Sequence, residues 1–557
     1  MRLSLSRSFP VLGVGLLGLS LTLAGCGGGG GGGGTTPPPP LPGCANGTGT
    51  PITVSGDVRY QRLVLSSGGV GPGTQLKAAR FVDVEVFNAA GTVCYGRTST
   101  DAAGSYALTV APPDGSTIQV RAYSRTSEDP TRDYTVHEAD PPFSDTHDGN
   151  NAFSWSVGGI TATGSPVVDV LVPYNVSNRP SIGFAVLDTM VTVLDQVATA
   201  LGSDAGDVHA YTRTGNNGAL GGVSFFRPGA NALAILGGAA GNLDNSDTDY
   251  FDDAVVAHEL CHYVENAFSH NMSRGGAHGS QPLEPAFAFS EGQATGFGNL
   301  MLGHPIYTDS TSTNGGVFFT ISVENVTGPS DPDGIGGELT TAEIIWDLGD
   351  GGSGPTDTDG DVVAAPLSDI LQALFSFQPT QDAPYIGLLL DRLVAQSASV
   401  TQAQVTALML APENQGISYP LTGGDVWPIP ISVGGNDSGT LDSLATGTGF
   451  KNQCRGITSS AWYRLDIASS TTVTIDLSIS PIAGSGDNLD LFLTSNTNVN
   501  GSLAQSTNNG SASEQIIRTL SPGRYLIRVE ARFTGSCDPT DASGTGNRAD
   551  YTLAVSP

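Results

Sequence analysis

The segment His-Glu-Leu-Cys-His, from His258 to His262, constrains the fold of this chain more than any other. An α-helix turns once per 3.6 residues, so side chains four positions apart lie on the same face. If the segment is helical, the two imidazoles stack and can share one zinc ion. Glu259 then lies beside the metal as a candidate general base. Two unrelated histidines on a helix surface are the alternative.

A hydrolytic zinc site needs a third protein ligand and keeps one position open. Glu291 is the candidate, because it falls in the next predicted helix at a distance that allows the chain to turn back. Pro285 suits the first turn of that helix, and a glycine-rich segment around His278 precedes it. We therefore predict Glu291 as the ligand that joins the two histidines.

Residues 290–297, Ser-Glu-Gly-Gln-Ala-Thr-Gly-Phe, are similar to the second helix of thermolysin-like and fungalysin-like enzymes. With the His-Glu-x-x-His helix, they make residues 232–347 resemble the gluzincins, a group of zinc metallopeptidases. The resemblance implies one Zn2+ on the three ligands, with Glu259 as the base that takes a proton from water. It also implies that a strand at residues 232–236 is the sheet edge that pairs with an extended peptide.

The chain departs from the thermolysin-like pattern at one position. Those enzymes have an aspartate four residues after the ligand glutamate, which orients a ligand histidine, and here that position is Thr295. A zinc-bound imidazole donates its other N–H to an acceptor. We therefore expect another residue to serve, with Glu338, Glu343 and Asp347 as candidates.

Peptide hydrolysis develops an oxyanion that needs hydrogen-bond donors. By its loop context His278 is the best placed, and we predict it as a catalytic residue beside Glu259. Tyr263 and Tyr307 are further candidates. For each of the three, an ordinary residue on a loop or helix surface is the alternative.

The N-terminus has the composition of an export signal. Arg2 and Arg7 precede an apolar run at residues 11–23, which ends in Leu-Ala-Gly-Cys at Cys26. This ending resembles the bacterial lipobox, which implies cleavage before Cys26 and lipid attachment to it. Gly27, rather than aspartate, follows, which by that resemblance favours the outer membrane. A transmembrane anchor is the alternative, but the run is short for a bilayer.

Five cysteines remain after lipidation of Cys26. The simplest pairs are Cys44 with Cys94 and Cys454 with Cys537, because each pair falls in one terminal segment of an exported chain. Cys261 is left over inside the zinc motif. Its position between the two histidines points it away from the metal, so we expect a buried thiol rather than a ligand.

Both ends of the chain alternate in polarity with a period of two, between Gly, Pro and Asp turns. Residues 100–106 resemble the carboxypeptidase-regulatory, transthyretin-like β-sandwich. Residues 488–493 and 520–525 resemble the bacterial pre-peptidase C-terminal domain, a β-sandwich often appended to secreted peptidases. An unrelated β-sandwich is the alternative at each end.

The middle of the chain has apolar residues at helical spacing. We predict helices at residues 184–201, 252–268, 285–302, 340–348, 367–377, 386–397 and 401–410. The predicted fold is multidomain, an α+β zincin-like catalytic domain flanked by two all-β sandwich domains. The predicted segments are a signal peptide (1–25), a Gly/Pro-rich tether (26–43), a β-sandwich (44–128), the metallopeptidase domain (129–427) and a second β-sandwich (428–557).

Two acidic segments suggest a second metal. Asp357, Asp359 and Asp361 are spaced as in calcium loops, but no glutamate closes the loop as it does in an EF-hand. Residues 244–249 show a weaker version of the same pattern. Calcium binding and a solvated acidic loop are the two interpretations.

With 53 acidic and 23 basic residues, the net charge of −30 argues against nucleic acid or anionic lipid as a partner. We expect a monomeric, lipid-anchored zinc peptidase of the bacterial cell envelope, at the outer membrane or cell surface, acting on protein or peptide. One alternative is a surface adhesion or scaffold protein with a degenerate metal site. Another is a zinc hydrolase with a non-peptide substrate.

Overall fold

The computed structural model describes residues 43–44, 47–66, 68–129, 131–141, 151–276, 278, 282–324, 333–351, 363–410, 416–443, 456–482, 487–532 and 546–557. Within them the chain has a multidomain α/β architecture with several β-sheets and a C-terminal β-sandwich. The predictions made for Cys26, the tether, residues 357–361, Cys454 and Cys537 lie outside the described residues.

The N-terminal part consists of two four-stranded sheets. One has the order β2-β1-β5 with β9 beside β1, and the other has the order β4-β3-β6-β8. A disulfide joins Cys44 to Cys94 at the start of β4. Because β8 and β9 belong to these sheets, their strand pairing continues past the boundary predicted at residue 128. Their strands are β1 (Ile52–Ser66), β2 (Gly69–Ala78), β3 (Asp83–Asn88), β4 (Cys94–Ser99), β5 (Ser105–Val110), β6 (Thr117–Tyr123), β8 (Ser154–Thr161) and β9 (Val170–Val172). Strand β7 (Asp133–Glu138) belongs to the sheet of the middle part.

The middle part combines a mixed sheet, a hairpin and the helices. The sheet has the order β11-β12-β10-β7, in which β10 runs parallel to both neighbours. Its strands are β10 (Asp207–Thr212), β11 (Phe225–Arg227) and β12 (Ala232–Ala234), and β13 (Ile306–Ser310) pairs with β14 (Val317–Ser322). The helices are α1 (Ser181–Leu201), α2 (Asn217–Leu220), α3 (Asp253–Phe268), α4 (Pro285–Leu302), α5 (Glu338–Asp350), α6 (Leu367–Phe375), α7 (Ile386–Gln396) and α8 (Gln402–Leu408).

Each helix predicted from apolar periodicity is present, but the prediction for the sheet edge is wrong. The strand expected at residues 232–236 is β12, which is paired on both sides, by β10 and by β11. The two ends of the sheet are β7 and β11, and β11 is a three-residue strand whose short apolar pattern gave no separate signal.

Helix α1 is long and apolar enough to cross a membrane by length and composition, alone among the helices of the described residues. Most of its apolar window is buried inside the protein, 61% of it. Met190, Leu194 and Val197 are fully buried in the main core, which also takes in side chains from α3 and α6. The helix is therefore a core element on which the zinc-motif helix packs.

The C-terminal sandwich, residues 429–556, has its own core. Its sheets have the orders β15-β17-β22-β19-β20 and β16-β23-β18-β21. Alternate residues such as Val473, Ile475 and Leu477 point inward and are fully buried, as a half-buried strand requires. The strands are β15 (Ile429–Ile431), β16 (Asn436–Asp442), β17 (Ser460–Ile467), β18 (Thr471–Pro481), β19 (Leu489–Ser495), β20 (Ala504–Ser506), β21 (Glu514–Leu520), β22 (Gly523–Ala531) and β23 (Arg548–Ser556).

Candidate metal centre

The helix α3 is held in a fixed rotation by its apolar face. Val256, Leu260 and Val264 recur every four residues and are buried in the main core. At its start, the Asp252 carboxylate accepts hydrogen bonds from Ser310 of β13 rather than from the helix itself. The neighbouring stripe of α3, which carries the two histidines of the motif, therefore faces α4.

Three side chains from α3 and α4 converge at this interface. His258 Nε2 and His262 Nε2 lie 3.1 Å apart. Glu291 Oε2 lies 3.1 Å from His262 Nε2 and 3.5 Å from His258 Nε2. The structure thus brings together the three residues that the sequence predicts as ligands, and each offers one donor atom to a common point.

The donor set fits a zinc ion. In a tetrahedral site with zinc–ligand distances of about 2.0–2.1 Å, neighbouring ligand atoms lie about 3.3 Å apart. The three observed separations, 3.1, 3.1 and 3.5 Å, bracket this value. Two imidazoles and one carboxylate also match the donor types of hydrolytic zinc sites. The residues therefore form a possible His2Glu metal site.

The electrostatics of the ligand set favour positive charge. Burial alone would raise the pKa of the Glu291 carboxyl, but the imidazoles of His278 and His262 lower it well below its usual value. Burial lowers the pKa of His262, yet the Glu291 carboxylate overcomes this and raises it to about 9. The carboxylate and the imidazoles therefore make a site that favours a bound positive charge.

Thr295, one turn after the ligand glutamate, orients His258. Its hydroxyl Oγ1 lies 3.0 Å from His258 Nδ1, and both side chains are buried. If Nε2 faces a metal, Nδ1 carries the proton and donates a hydrogen bond to the hydroxyl oxygen. The expectation that another residue must replace the missing aspartate is therefore wrong, because the threonine itself reaches the imidazole.

His278 lies at the rim of the ligand set. Its Nε2 is 3.5 Å from Glu291 Oε2, and its Nδ1 is 3.1 Å from Glu338 Oε2. Glu338, a candidate partner for the zinc histidines, thus contacts His278 instead. Although burial lowers the pKa of His278, the two carboxylates raise it to about 10. His278 is partly exposed, so its position is compatible with contact to a substrate.

Glu259 and Tyr307 complete the surroundings of the ligands. Glu259 is buried beside them on α3, and its charge raises the pKa of His262. The ring of Tyr307, on β13, meets the ring of His258 edge to face at 6.2 Å and stacks on Phe319. Of the two candidate tyrosines, Tyr307 is thus the one beside the site.

Two other residues of the motif helix point elsewhere. Tyr263 donates a hydrogen bond from its hydroxyl to the carbonyl oxygen of Ala205 at 2.7 Å. Its prediction as an oxyanion donor is therefore wrong, since the hydroxyl serves the core. Cys261 is a buried free cysteine, and burial raises the pKa of its thiol. It lies outside the ligand group, as expected for a side chain between two stacked histidines.

Sequence reasoning missed Glu265, three residues after His262. It is almost fully buried and accepts hydrogen bonds from Ser290 Oγ at 2.8 Å and Asn271 Nδ2 at 2.6 Å. Burial raises the pKa of Glu265 to about 7. The residue links α3 to the position before the ligand glutamate. The sequence feature that could have identified Glu265 is an acidic residue within an otherwise apolar stripe of the predicted helix.

Comparison with known proteins adds information on the C-terminal sandwich. The family model described as the bacterial pre-peptidase C-terminal domain matches residues 459–531. This confirms the resemblance predicted at that end of the chain, while the carboxypeptidase-regulatory resemblance stays a prediction. The matched residues do not include the metal centre. No curated protein matches this chain.

Two solved structures are similar to part of the chain. The pre-peptidase C-terminal domain of a collagenase from Bacillus anthracis is 17% identical, with 23% of this chain and 92% of that chain covered and a TM-score of 0.15. A periplasmic lysozyme inhibitor from Aeromonas hydrophila is 15% identical, with 23% and 95% covered and a TM-score of 0.14. At these values the likenesses identify no activity for this chain. A pre-peptidase C-terminal domain is typical of secreted bacterial peptidases and indicates a secreted or extracellular bacterial protein.

Proposed function

We propose that this chain is an extracellular zinc-dependent peptidase with a zincin-like catalytic part. The observation that carries the proposal is the convergence of His258, His262 and Glu291 at the spacing of one zinc coordination sphere. Glu259 lies on the same helix between the two histidines, where a general base is needed. A pre-peptidase C-terminal domain in the same chain supports a peptidase rather than an unrelated zinc enzyme.

In the proposed reaction each side chain has one task. Zinc, when bound by the three ligands, supplies the Lewis acidity that polarises the scissile carbonyl and acidifies water. Glu259 accepts the proton of the attacking water and delivers it to the leaving amine. His278 and Tyr307 are the residues that we propose as hydrogen-bond donors to the developing oxyanion. Thr295 keeps the imidazole of His258 in the orientation and tautomer that binding requires.

The edge strand β11 supports a peptide as the substrate. In the part of the chain that the structure describes, β11 lies at one end of its sheet, with β12 as its strand neighbour. Phe226 of β11 contacts Tyr263 of α3, with ring centroids 6.0 Å apart, which places this edge beside the zinc-motif helix. An extended peptide can add to such an edge through main-chain hydrogen bonds.

The cellular setting is a further part of the proposal. A lipid on Cys26 would hold the enzyme to the cell envelope, with the Gly/Pro-rich tether as a spacer. The net charge of −30 fits an exported protein that avoids anionic surfaces. We propose a monomer acting on extracellular protein.

The substitution Glu259→Gln tests the mechanism. It keeps the shape of the side chain but removes the base, so hydrolysis of casein should fall by about 100- to 10,000-fold. Zinc content, measured by elemental analysis, should stay at one ion per chain. Glu138→Gln, which changes an exposed glutamate on β7, is the matched control and should change neither quantity.

Three outcomes would contradict the proposal. Full activity of Glu259→Gln would exclude the residue as the base. Unchanged zinc content in Glu291→Ala would exclude Glu291 as a ligand. A wild-type chain that contains zinc but cleaves no member of a peptide library would favour the adhesion protein or the non-peptide hydrolase.

A further inference from the structure

Three aspartates meet beside the start of α3, outside the zinc ligand set. Asp247 and Asp249 belong to the loop that leads into α3, whereas Asp309 is on β13. Each offers one carboxylate oxygen, and these oxygens all lie within 4.8 Å of one another. The fold thus brings two distant segments together at a point where three negative charges converge.

These carboxylates have buried oxygens without hydrogen-bond partners. The Oδ1 atoms of Asp247, Asp249 and Asp309 are all in this state. Asp249 is only 3% exposed, and its other oxygen accepts a hydrogen bond from the hydroxyl of Ser224. A buried carboxylate oxygen with no donor is costly, and three together indicate that a group outside the protein satisfies them.

Basic side chains do not offset this charge. Arg179 pairs with Asp244 and Arg62 pairs with Asp253, and in the described part of the chain no ion pair involves the three clustered aspartates. Burial and the neighbouring carboxylates raise the pKa of Asp249 well above its usual value. Burial, and then Asp247, raise the pKa of Asp309 to about 7. The arrangement is unfavourable for the protein alone.

We propose that Asp247, Asp249 and Asp309 bind one calcium ion. Calcium binds carboxylate oxygens at about 2.3–2.6 Å in flexible geometry, so ligands on opposite sides of one ion lie about 5 Å apart. Oxygens that lie within 4.8 Å of one another fit inside that sphere. An all-oxygen donor set favours hard cations over zinc, and magnesium requires shorter distances and a stricter octahedron.

The site connects the zinc-motif helix to β13. The backbone N–H of Asp252 donates to the carbonyl oxygen of Asp249, and the carbonyl of Asp252 accepts the hydrogen bond of Val256 that opens α3. On β13, Asp309 follows Tyr307 by two residues on the same face of the strand, and the Tyr307 ring contacts His258. Bound calcium would therefore stabilise the segments around the zinc site, whether or not that site hydrolyses peptides.

The test measures calcium and thermal unfolding of the full chain. After dialysis against metal-free buffer, addition of about 10 mM CaCl2, which exceeds the Kd of about 10⁻⁴–10⁻³ M of extracellular modules, should raise the unfolding temperature on the order of 5 °C. Elemental analysis should find one calcium ion fewer per chain in Asp309→Asn than in wild type. Zinc is measured in the same samples, so loss of the calcium response is distinguishable from failure of the zinc site.

The two asparagine variants, Asp249→Asn and Asp309→Asn, should differ from wild type in unfolding temperature, with opposite signs in the absence and presence of calcium. Without calcium each replaces a buried carboxyl group that lacks a cation partner with a neutral amide, so each should unfold at a higher temperature than wild type. With calcium the order should reverse, because the variants lose a ligand. Asp244→Asn, at an exposed aspartate of the same loop, is the control and should respond to calcium as wild type does.

Three results would overturn the proposal. One is a wild-type unfolding temperature that calcium does not change, a readout that needs no variant to fold. Another is equal calcium content in wild type and Asp309→Asn. An equal response to magnesium would overturn the assignment to calcium.

Discussion

At the scale of single residues, the neutral partner of His258 lowers the negative charge around the candidate metal centre. An aspartate at position 295 would add a second negative charge to that of Glu291, whereas the Thr295 hydroxyl adds none. The imidazole is then less basic, and the bound cation keeps more of its positive charge. A neutral partner therefore favours Lewis acidity at the expense of metal affinity.

Thr295→Val should weaken zinc binding. Valine keeps the shape of the side chain but removes the oxygen that lies 3.0 Å from His258 Nδ1. Loss of such a partner typically lowers metal affinity by about 10- to 100-fold. Competition with a fluorescent zinc chelator measures the affinity, and circular dichroism checks that the fold is intact.

Two further variants at position 295 separate orientation from packing. Thr295→Ser keeps the hydroxyl and should bind zinc within a few-fold of wild type, while Thr295→Asp should bind it more tightly. If valine and serine behave alike, the hydroxyl does not orient the imidazole.

The histidines of the candidate metal centre could be predicted because their spacing along the chain determines their geometry. His258 and His262 are one turn apart on any helix, and Glu291 is in the helix that follows the segment 269–284. The role of Thr295 could not be predicted in this way. It depends on how closely α3 and α4 approach each other, which local spacing does not specify.

At the scale of elements, two glycines allow α4 to pack closely on α5, on the side of α4 away from α3. A Cβ on Gly292 would lie 2.5 Å from Thr341 Cβ of α5, and one on Gly296 would lie 2.7 Å from the carbonyl oxygen of Ala342. These two glycines follow Glu291 and Thr295 directly. Close packing of α4 on α5 is therefore coupled to the placement of the Glu291 and Thr295 side chains at the candidate metal centre.

Gly292→Ala should destabilise the chain and weaken zinc binding together. The added methyl group forces α4 and α5 apart, at a cost of about 1–3 kcal/mol for overpacking, and shifts Glu291. Denaturant unfolding and zinc content measure the two effects. Gly218→Ala is the control, because a Cβ added at this helical glycine would have no other atom within 4 Å. Unchanged zinc affinity in a destabilised Gly292→Ala would show that the two effects are separate.

Periodicity predicted the helices well because their apolar stripes are long. The apolar run at 232–236 predicted a strand, and the resemblance to the gluzincins implied that this strand is the sheet edge. The three residues of β11 are too few to show a period, and strand order is a property of tertiary pairing. The edge therefore became visible only once the sheet was assembled.

At the scale of the whole molecule, the C-terminal sandwich is packed on the metal-centre region. Arg274, in the segment between α3 and α4, pairs with Glu284 at 2.8 Å and with Glu530 of the sandwich at 2.9 Å. Ser460 and Trp462 of the sandwich donate hydrogen bonds to the same Glu284. Since Glu284 immediately precedes α4, the sandwich contacts the start of the helix that carries the ligand glutamate.

This contact changes the role expected for the sandwich. Sequence alternation identified it as a separate module, and its own core agrees with that description. The sequence could not reveal the interface, because Arg274, Glu284 and Glu530 look like ordinary surface charges when read along the chain. Their burial arises only when the two parts pack together.

Arg274→Met should therefore destabilise the metal-centre region as well as the interface. Methionine fills much of the space but leaves the Glu284 carboxylate buried without its cation, at a cost of about 3–5 kcal/mol. We expect a lower unfolding temperature in calorimetry and weaker zinc retention. Arg524→Met, which breaks the more exposed pair with Asp466 in the same sandwich, should cost about 0–1 kcal/mol. Equal effects of the two variants would mean that the sandwich is an independent module that does not support the metal centre.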